Sequence, residues 1–87
     1  MTASVLIYCT GVCPYSVMAE ELLKSKGVTK IEKAYIDRDP RKRDEMRQRT
    51  GKRTVPQIFI GETYVGGLDD LSALDDAGEL DRLIKAV

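Results

Sequence analysis

The feature that most constrains the fold is Pro14, which follows closely after a short apolar run, Ser4–Cys9 (SVLIYC). A run of this length, rich in β-branched and aromatic side chains, is typical of a buried strand. Proline suits the first turn of a helix, because its missing N–H would have no helical partner there and its φ is already helical. The chain is therefore predicted to pass from strand to helix within a few residues, with Cys13 at or next to the N-cap.

The helix that begins at Pro14 is predicted to run to about Lys26. Val17, Met18 and Leu22 give it an apolar stripe at helical spacing, and Gly27 supplies a stop signal. The later segments are predicted to be a strand over Ile31–Ile36, a helix from Asp39 and Pro40 to about Gly51, a hairpin of Gln57–Ile60 and Thr63–Gly66, and a tail with apolar residues at Leu71, Leu74, Leu80, Leu83, Ile84 and Val87. The tail is read as one broken helix or two short ones.

The predicted order is β-α-β-α-β-β-α, which belongs to the α/β class. The first helix is long enough to be a right-handed crossover between parallel strands, and the last two strands form an antiparallel hairpin. A four-stranded mixed sheet flanked by helices packs these elements economically. With 87 residues, the chain is expected to be a single domain spanning residues 1–87.

The charge balance excludes some classes of partner. Fourteen basic and fourteen acidic residues cancel, which gives no support to binding of nucleic acid or an anionic membrane. No apolar run approaches a bilayer span, and no signal-like segment opens the chain, so we expect a cytoplasmic protein. The segment from Asp37 to Arg53 has eight basic residues and four acidic ones. Its excess of basic residues forms either solvated helix faces or a site for a small anionic ligand.

Cysteine usage restricts the chemistry further. Cys9 and Cys13 are the two cysteines, and the chain has no histidine. Two cysteines are too few for a disulfide framework or a four-ligand zinc site, so no metal is expected. At a helix N-terminus, unpaired N–H groups and the helix dipole favour a thiolate, which makes Cys13 the candidate nucleophile. Cys9 is either an inert core residue or a resolving thiol for Cys13.

Three further segments contain candidate site residues. Ser16 stands where a Cys-x-x-Cys motif has its second sulfur, and a hydroxyl cannot form a disulfide. Thr54-Val55-Pro56 precedes a predicted strand, where an X-Pro bond can be cis. The run Gly66-Gly67-Leu68-Asp69-Asp70 bends into a helix whose N-terminus is either capped by a carboxylate or available to a ligand.

Taken together, these segments resemble the glutaredoxin family over nearly the whole chain. The resemblance is carried by Tyr8 with Cys13-Pro14-Tyr15-Ser16, by Thr54-Val55-Pro56-Gln57-Ile58-Phe59-Ile60, and by Gly66-Gly67-Leu68-Asp69-Asp70. It implies a thioredoxin-like fold in which the bond before Pro56 is cis and faces Cys13. It also implies an oxidoreductase with glutathione as co-substrate and glutathionylated proteins as partners. We expect the protein to be a monomer.

The resemblance also suggests roles for individual residues. Thr54, Val55 and Pro56 match the segment whose backbone pairs with the cysteinyl part of glutathione. Asp69 and Asp70 match the pair that receives the γ-glutamyl end. Tyr15 would flank the sulfur, and Arg43 matches a position that binds the glycyl carboxylate, for which Lys52 and Arg53 are weaker candidates.

Two positions depart from the family pattern. Many relatives have a lysine where this chain has Thr10, so one expected cation is absent. The commonest form of the motif has cysteine where this chain has Ser16, which represents either natural monothiol usage or a substitution that traps a glutathione adduct.

The predicted function is reduction of protein–glutathione mixed disulfides by a monothiol mechanism through Cys13. One alternative is an iron–sulfur carrier, in which two chains and two glutathiones supply four sulfur ligands. Cluster-carrying relatives usually have Cys-Gly-Phe-Ser, whereas Pro14 stiffens the loop here. The other alternative is a redox switch that uses Cys9 and Cys13 as a pair.

Overall fold

A computed structural model describes residues 3–85 of the protein. Its elements are, in chain order, β1 (Val5–Cys9), α1 (Pro14–Ser25), β2 (Ile31–Tyr35), α2 (Pro40–Thr50), β3 (Gln57–Ile60), β4 (Thr63–Gly66), α3 (Leu68–Asp76) and α4 (Leu80–Lys85). The predicted elements agree with these to within one residue through β4. The tail forms two short helices, and Val87 lies outside the described residues.

The strands form one mixed sheet in the order β2-β1-β3-β4. Strand β1 lies parallel to β2, with Tyr8 opposite Ala34, and antiparallel to β3, with Tyr8 opposite Gln57. Strands β3 and β4 form the predicted hairpin, with an irregular register between Ile58 and Phe59. The predicted four-stranded mixed sheet flanked by helices is confirmed.

Each face of the sheet is covered by helices, because side chains alternate between the faces along every strand. Buried residues of α1, α3 and α4 pack against one face, and this larger cluster comprises Ala3, Val5, Ile7, Cys9, Ala19, Leu23, Val28, Ile58, Ile60, Leu71, Leu80 and Ile84. The smaller cluster on the other face comprises Tyr8, Ala34, Met46 and Phe59. Cys9 therefore belongs to the larger core.

Helix α2 covers its face of the sheet with few apolar side chains. Met46 is its one buried residue, and most of the others are charged. Asp39 caps its start by accepting a 3.0 Å hydrogen bond from the Arg41 N–H, and Gly51 ends it in the left-handed conformation at φ 70°. The guanidinium of Arg49 supplements the packing, since it lies 3.8 Å from the centre of the Phe59 ring.

None of the helices within residues 3–85 combines the length and the apolar character needed to cross a membrane.

Candidate active site

Three segments that are distant in sequence converge at one end of the sheet. Strand β1 ends there at Cys9, the antiparallel strand β3 begins there at Gln57, and β4 ends there at Gly66. The loop that leads to Cys13, the loop that contains Pro56 and the bend at Gly67 therefore occupy the same edge. The sheet topology explains why motifs so far apart in the chain form one site.

Cys13 is the N-cap of α1, as predicted. Its backbone is extended (φ −143°, ψ 100°), and its carbonyl accepts hydrogen bonds from the N–H groups of Ser16 (3.1 Å) and Val17 (3.3 Å). The side chain makes no capping hydrogen bond and is partly exposed, and the first turn of α1 contains no acidic residue. The sulfur is therefore accessible and uncapped at the N-terminal end of α1.

Cys9 has a different environment. Its side chain is 1% exposed and belongs to the larger core, and its sulfur forms no disulfide. Burial raises the pKa of the Cys9 thiol, so it stays neutral at neutral pH. This arrangement favours the inert core role over the resolving role.

Ser16 is the third residue of α1, within its first turn, and is 6% exposed. Its hydroxyl oxygen is buried and has no hydrogen-bond partner among residues 3–85. A buried hydroxyl without a partner costs free energy, so the serine does not stabilise the helix through its oxygen.

The peptide bond between Val55 and Pro56 is cis, in agreement with the resemblance. Gln57 holds the loop before this bond, because its side-chain amide donates to the Thr54 carbonyl at 2.9 Å and to the Thr54 hydroxyl at 3.1 Å. The bend after β4 approaches the same loop. A Cβ atom on Gly67 would lie 3.5 Å from the Pro56 carbonyl oxygen.

Asp70 caps α3 by accepting a 3.0 Å hydrogen bond from the Gly67 N–H. Gly66 makes this contact possible, since it has a φ of 114° and a Cβ atom there would collide with the Asp70 carboxylate. The sequence left open whether a carboxylate caps this helix or a ligand binds at its N-terminus. The structure shows that one carboxylate oxygen of Asp70 forms the cap. Asp69 lies beside it and lines the groove described next.

These segments surround an open groove of about 470 Å³. Its lining residues are Tyr15, Lys52, Thr54, Val55, Pro56, Gln57, Tyr64, Gly67, Leu68, Asp69 and Asp70. Six of the residues predicted for glutathione binding are among them: Tyr15, Thr54, Val55, Pro56, Asp69 and Asp70. Cys13 is outside this lining, two residues before Tyr15.

Arg43 is exposed on α2 and does not line the groove, so the structure does not bring it together with the other predicted residues. The cation in the lining is Lys52, which the sequence suggested only weakly. Gln57 and Tyr64 also line the groove, although sequence reasoning assigned them to strands alone. The signal for Gln57 was its place directly after Pro56, whereas Tyr64 gave none.

The loop between β1 and α1 lacks the lysine of many relatives but has a nearby cation. The Gly11 N–H donates a 3.1 Å hydrogen bond to the Asp37 carboxylate. The guanidinium of Arg38 stacks 4.3 Å from the centre of the Tyr35 ring and lies close to Gly11. The Thr10 hydroxyl donates to the Val12 carbonyl, at 3.3 Å.

Within residues 3–85, no three side chains of the metal-ligating types His, Cys, Asp or Glu lie close enough together to hold a metal ion.

Comparison with known proteins places this geometry in a family. The glutaredoxin family model matches residues 5–65. A glutaredoxin of Pseudomonas aeruginosa is 52% identical over 82 residues, which are 94% of this chain and 96% of that protein. The solution structure of glutaredoxin from Brucella melitensis is 45% identical and superposes with a TM-score of 0.81, covering 97% of this chain and 90% of that one.

A crystal structure of a buckwheat glutaredoxin–glutathione complex has the same fold, with a TM-score of 0.84 at 23% identity, over 97% of this chain and 78% of that one. The thioredoxin-like fold that the resemblance implied is therefore confirmed. The family model and the Pseudomonas aeruginosa relative show that the chain belongs to the glutaredoxin family of thiol-disulfide oxidoreductases.

Proposed function

We propose that this protein reduces mixed disulfides between glutathione and protein cysteines, with Cys13 as the only thiol that reacts. The observation that carries the proposal is the contrast between the two cysteines: Cys13 is accessible at the start of α1, whereas Cys9 is buried in the core. Ser16 has no sulfur with which to resolve a disulfide at Cys13. A second thiol must therefore come from outside, and the family supports glutathione as its source.

The groove beside Tyr15 supports glutathione as the ligand. Its volume of about 470 Å³ lies in the range of small-molecule sites. Glutathione carries two carboxylates and one ammonium group, and the lining offers a cation, Lys52, and an anion, Asp69. Thr54 and Val55 would pair with the cysteinyl backbone, and Asp69 and Asp70 would receive the γ-glutamyl end.

The reaction proceeds by two thiol–disulfide exchanges. The Cys13 thiolate attacks the glutathionyl sulfur of the mixed disulfide, a new sulfur–sulfur bond forms to glutathione, and the protein thiolate leaves and takes up a proton. A second glutathione, as its thiolate, then attacks the glutathione sulfur bound to Cys13. Glutathione disulfide forms, and the Cys13 thiolate is regenerated. The groove makes the glutathionyl sulfur the one in line for attack, because it binds that half of the substrate.

A matched pair of variants tests this proposal in a coupled assay with a glutathionylated peptide. Cys13→Ser should abolish turnover, and Cys9→Ala should keep most of it. Treatment of the wild type with glutathione disulfide, followed by peptide mapping, should find one glutathione on Cys13. Full activity of Cys13→Ser would refute the proposal, and a Cys9–Cys13 disulfide without glutathione would favour the redox switch instead.

The same preparation discriminates the iron–sulfur carrier from the reductase. Two chains that share a cluster would dimerise and absorb visible light after anaerobic reconstitution with iron, sulfide and glutathione. We expect no such absorption and a monomer by size-exclusion chromatography. The cytoplasmic location also remains a prediction, which fractionation of the producing cells would check.

A further inference from the structure

A chain of hydrogen bonds connects β4 to the loop before Pro56. The Tyr64 hydroxyl is 2.6 Å from the side-chain oxygen of Gln57. The amide nitrogen of Gln57 in turn donates to the carbonyl and the hydroxyl of Thr54. All three residues line the groove that we propose for glutathione.

The backbone carbonyl of Thr54 fixes the direction of the whole chain. A carbonyl only accepts, so the Gln57 amide must turn its nitrogen toward Thr54. Its oxygen then faces Tyr64 and also only accepts, so the Tyr64 hydroxyl must be the donor. Each bond therefore has one possible polarity, and the proton of Tyr64 is committed to Gln57.

Burial makes the contribution of Tyr64 costly to lose. Gln57 is 4% exposed, so its oxygen has little access to water if the Tyr64 hydroxyl is removed. The Tyr64 ring is held in place by the Phe59 ring, whose centre is 5.1 Å away. Tyr64 itself is 39% exposed, and partial burial, with a smaller contribution from the nearby Asp70 carboxylate, raises the pKa of its hydroxyl.

We infer that Tyr64 is a positioning residue for substrate binding, which acts through Gln57 to hold Thr54 and the neighbouring Val55 backbone in the orientation that receives glutathione. This inference rests on the proposed function. Tyr64 does not touch the reacting sulfur, and Cys13 is outside the hydrogen-bonded chain. Its effect therefore falls on ground-state binding and not on the chemical step.

The test compares Tyr64→Phe with the control Tyr35→Phe in the glutathionylated-peptide assay. Tyr64→Phe removes one oxygen and keeps the ring on Phe59, and Tyr35→Phe removes an equivalent oxygen outside the groove. For Tyr64→Phe we expect KM to rise about 3- to 10-fold while kcat changes less than about 2-fold, on the scale of one hydrogen bond. Tyr35→Phe should leave both constants unchanged.

A second variant disrupts the same hydrogen-bonded chain at Gln57, and a folding measurement shows whether each variant is folded. Gln57→Glu places a carboxylate oxygen against the Thr54 carbonyl, so KM should rise more than in Tyr64→Phe, by about 10-fold or more. Thermal unfolding curves identify a temperature at which both variants are folded. NMR at that temperature should show that the amide signals of Thr54 and Val55 shift in both variants.

The outcomes distinguish this inference from the proposed function. A wild-type protein that fails to turn over the glutathionylated peptide refutes both. An active wild type with unchanged KM in folded Tyr64→Phe and Gln57→Glu refutes the positioning role and leaves the proposed function intact. A fall in kcat at unchanged KM also overturns the inference, because it would move Tyr64 to the chemical step.

Discussion

The guanidinium of Arg49 donates a 2.9 Å hydrogen bond to the hydroxyl of Tyr8, whose side chain is completely buried under α2. The same guanidinium stacks on Phe59. We expect Arg49→Ala to lower the free energy of unfolding by about 2–3 kcal/mol, since it removes the partner of a buried hydroxyl and the cation above the ring. Urea denaturation measures the change. Arg47 is exposed on the same helix, as Arg49 is, but among the described residues only Arg49 contacts Tyr8 and Phe59; removal of Arg47 is therefore the control, and an equal effect there would contradict this role.

Ser16 offers a test of the monothiol site. Ser16→Ala should raise the free energy of unfolding by up to about 1 kcal/mol, because a buried oxygen without a partner is removed, and mixed-disulfide reduction should persist. Ser16→Cys should allow the new thiol to form a disulfide with Cys13 and to reduce ordinary protein disulfides. Insulin reduction measures this gain. Its absence in a folded Ser16→Cys variant would show that the end of α1 cannot accommodate the disulfide.

Gly66 and Gly78 provide a comparison for the cap of α3. Gly66 has a φ of 114° and Gly78 a φ of 75°, so an added side chain is more strained at Gly66. In addition, a Cβ atom at Gly66 would meet the Asp70 carboxylate, whereas at Gly78 it would meet no atom within 4 Å. Gly66→Ala should destabilise the protein by about 2–4 kcal/mol, and Gly78→Ala by only about 1 kcal/mol. Chemical denaturation of both variants gives the comparison. Similar losses would mean that the Asp70 contact is easily relieved.

The protonation of Glu20 is expected to lower the free energy of unfolding at acid pH. Hydrogen bonds from Lys33 and then from Lys24 hold the pKa of Glu20 below its usual value of 4.5. The ionised carboxylate therefore stabilises the folded state fully above about pH 4.5, and this contribution is lost as the pH falls through the lower, folded-state pKa. Glu20→Gln should lower the free energy of unfolding by up to about 1 kcal/mol at pH 7 and by less at pH 3. Urea denaturation of both proteins at the two pH values tests this, and a pH-independent difference would refute it.

The element order could be predicted because its signals are local. Pro14, Pro40 and the Gly61 turn mark boundaries that depend on backbone geometry alone, and the alternating apolar runs identify the strands. The packing of α2 could not be predicted in the same way. Its sequence has one buried apolar residue, Met46. Arg49 contacts the sheet through the Tyr8 hydroxyl on β1 and the Phe59 ring on β3, which are far from α2 in the sequence.

The residues of the candidate site also divide into those that local sequence motifs predict and those that depend on the tertiary structure. Thr54, Val55 and Asp69 follow from contiguous motifs, whereas Arg43 was predicted for the groove and the structure leaves it outside the lining. Position on a helix face does not determine how far a long side chain lies from a groove on another element. Tyr64 was missed because a tyrosine in a strand is ordinary, and its importance depends on the polarity of a hydrogen-bonded chain that only the tertiary structure contains.

The antiparallel pairing of β1 with β3 also defines the end of the sheet opposite to the site. Gly61 and Glu62 turn the chain there between β3 and β4, at exposed positions. A fluorophore, an affinity handle or an inserted sensor domain at this turn would lie at the opposite end of the sheet from the loops that contain Cys13 and Pro56, although Tyr64 is only two residues from Glu62. The hairpin tip is therefore a place at which this small redox protein can be attached to another molecule at a distance from its reactive thiol.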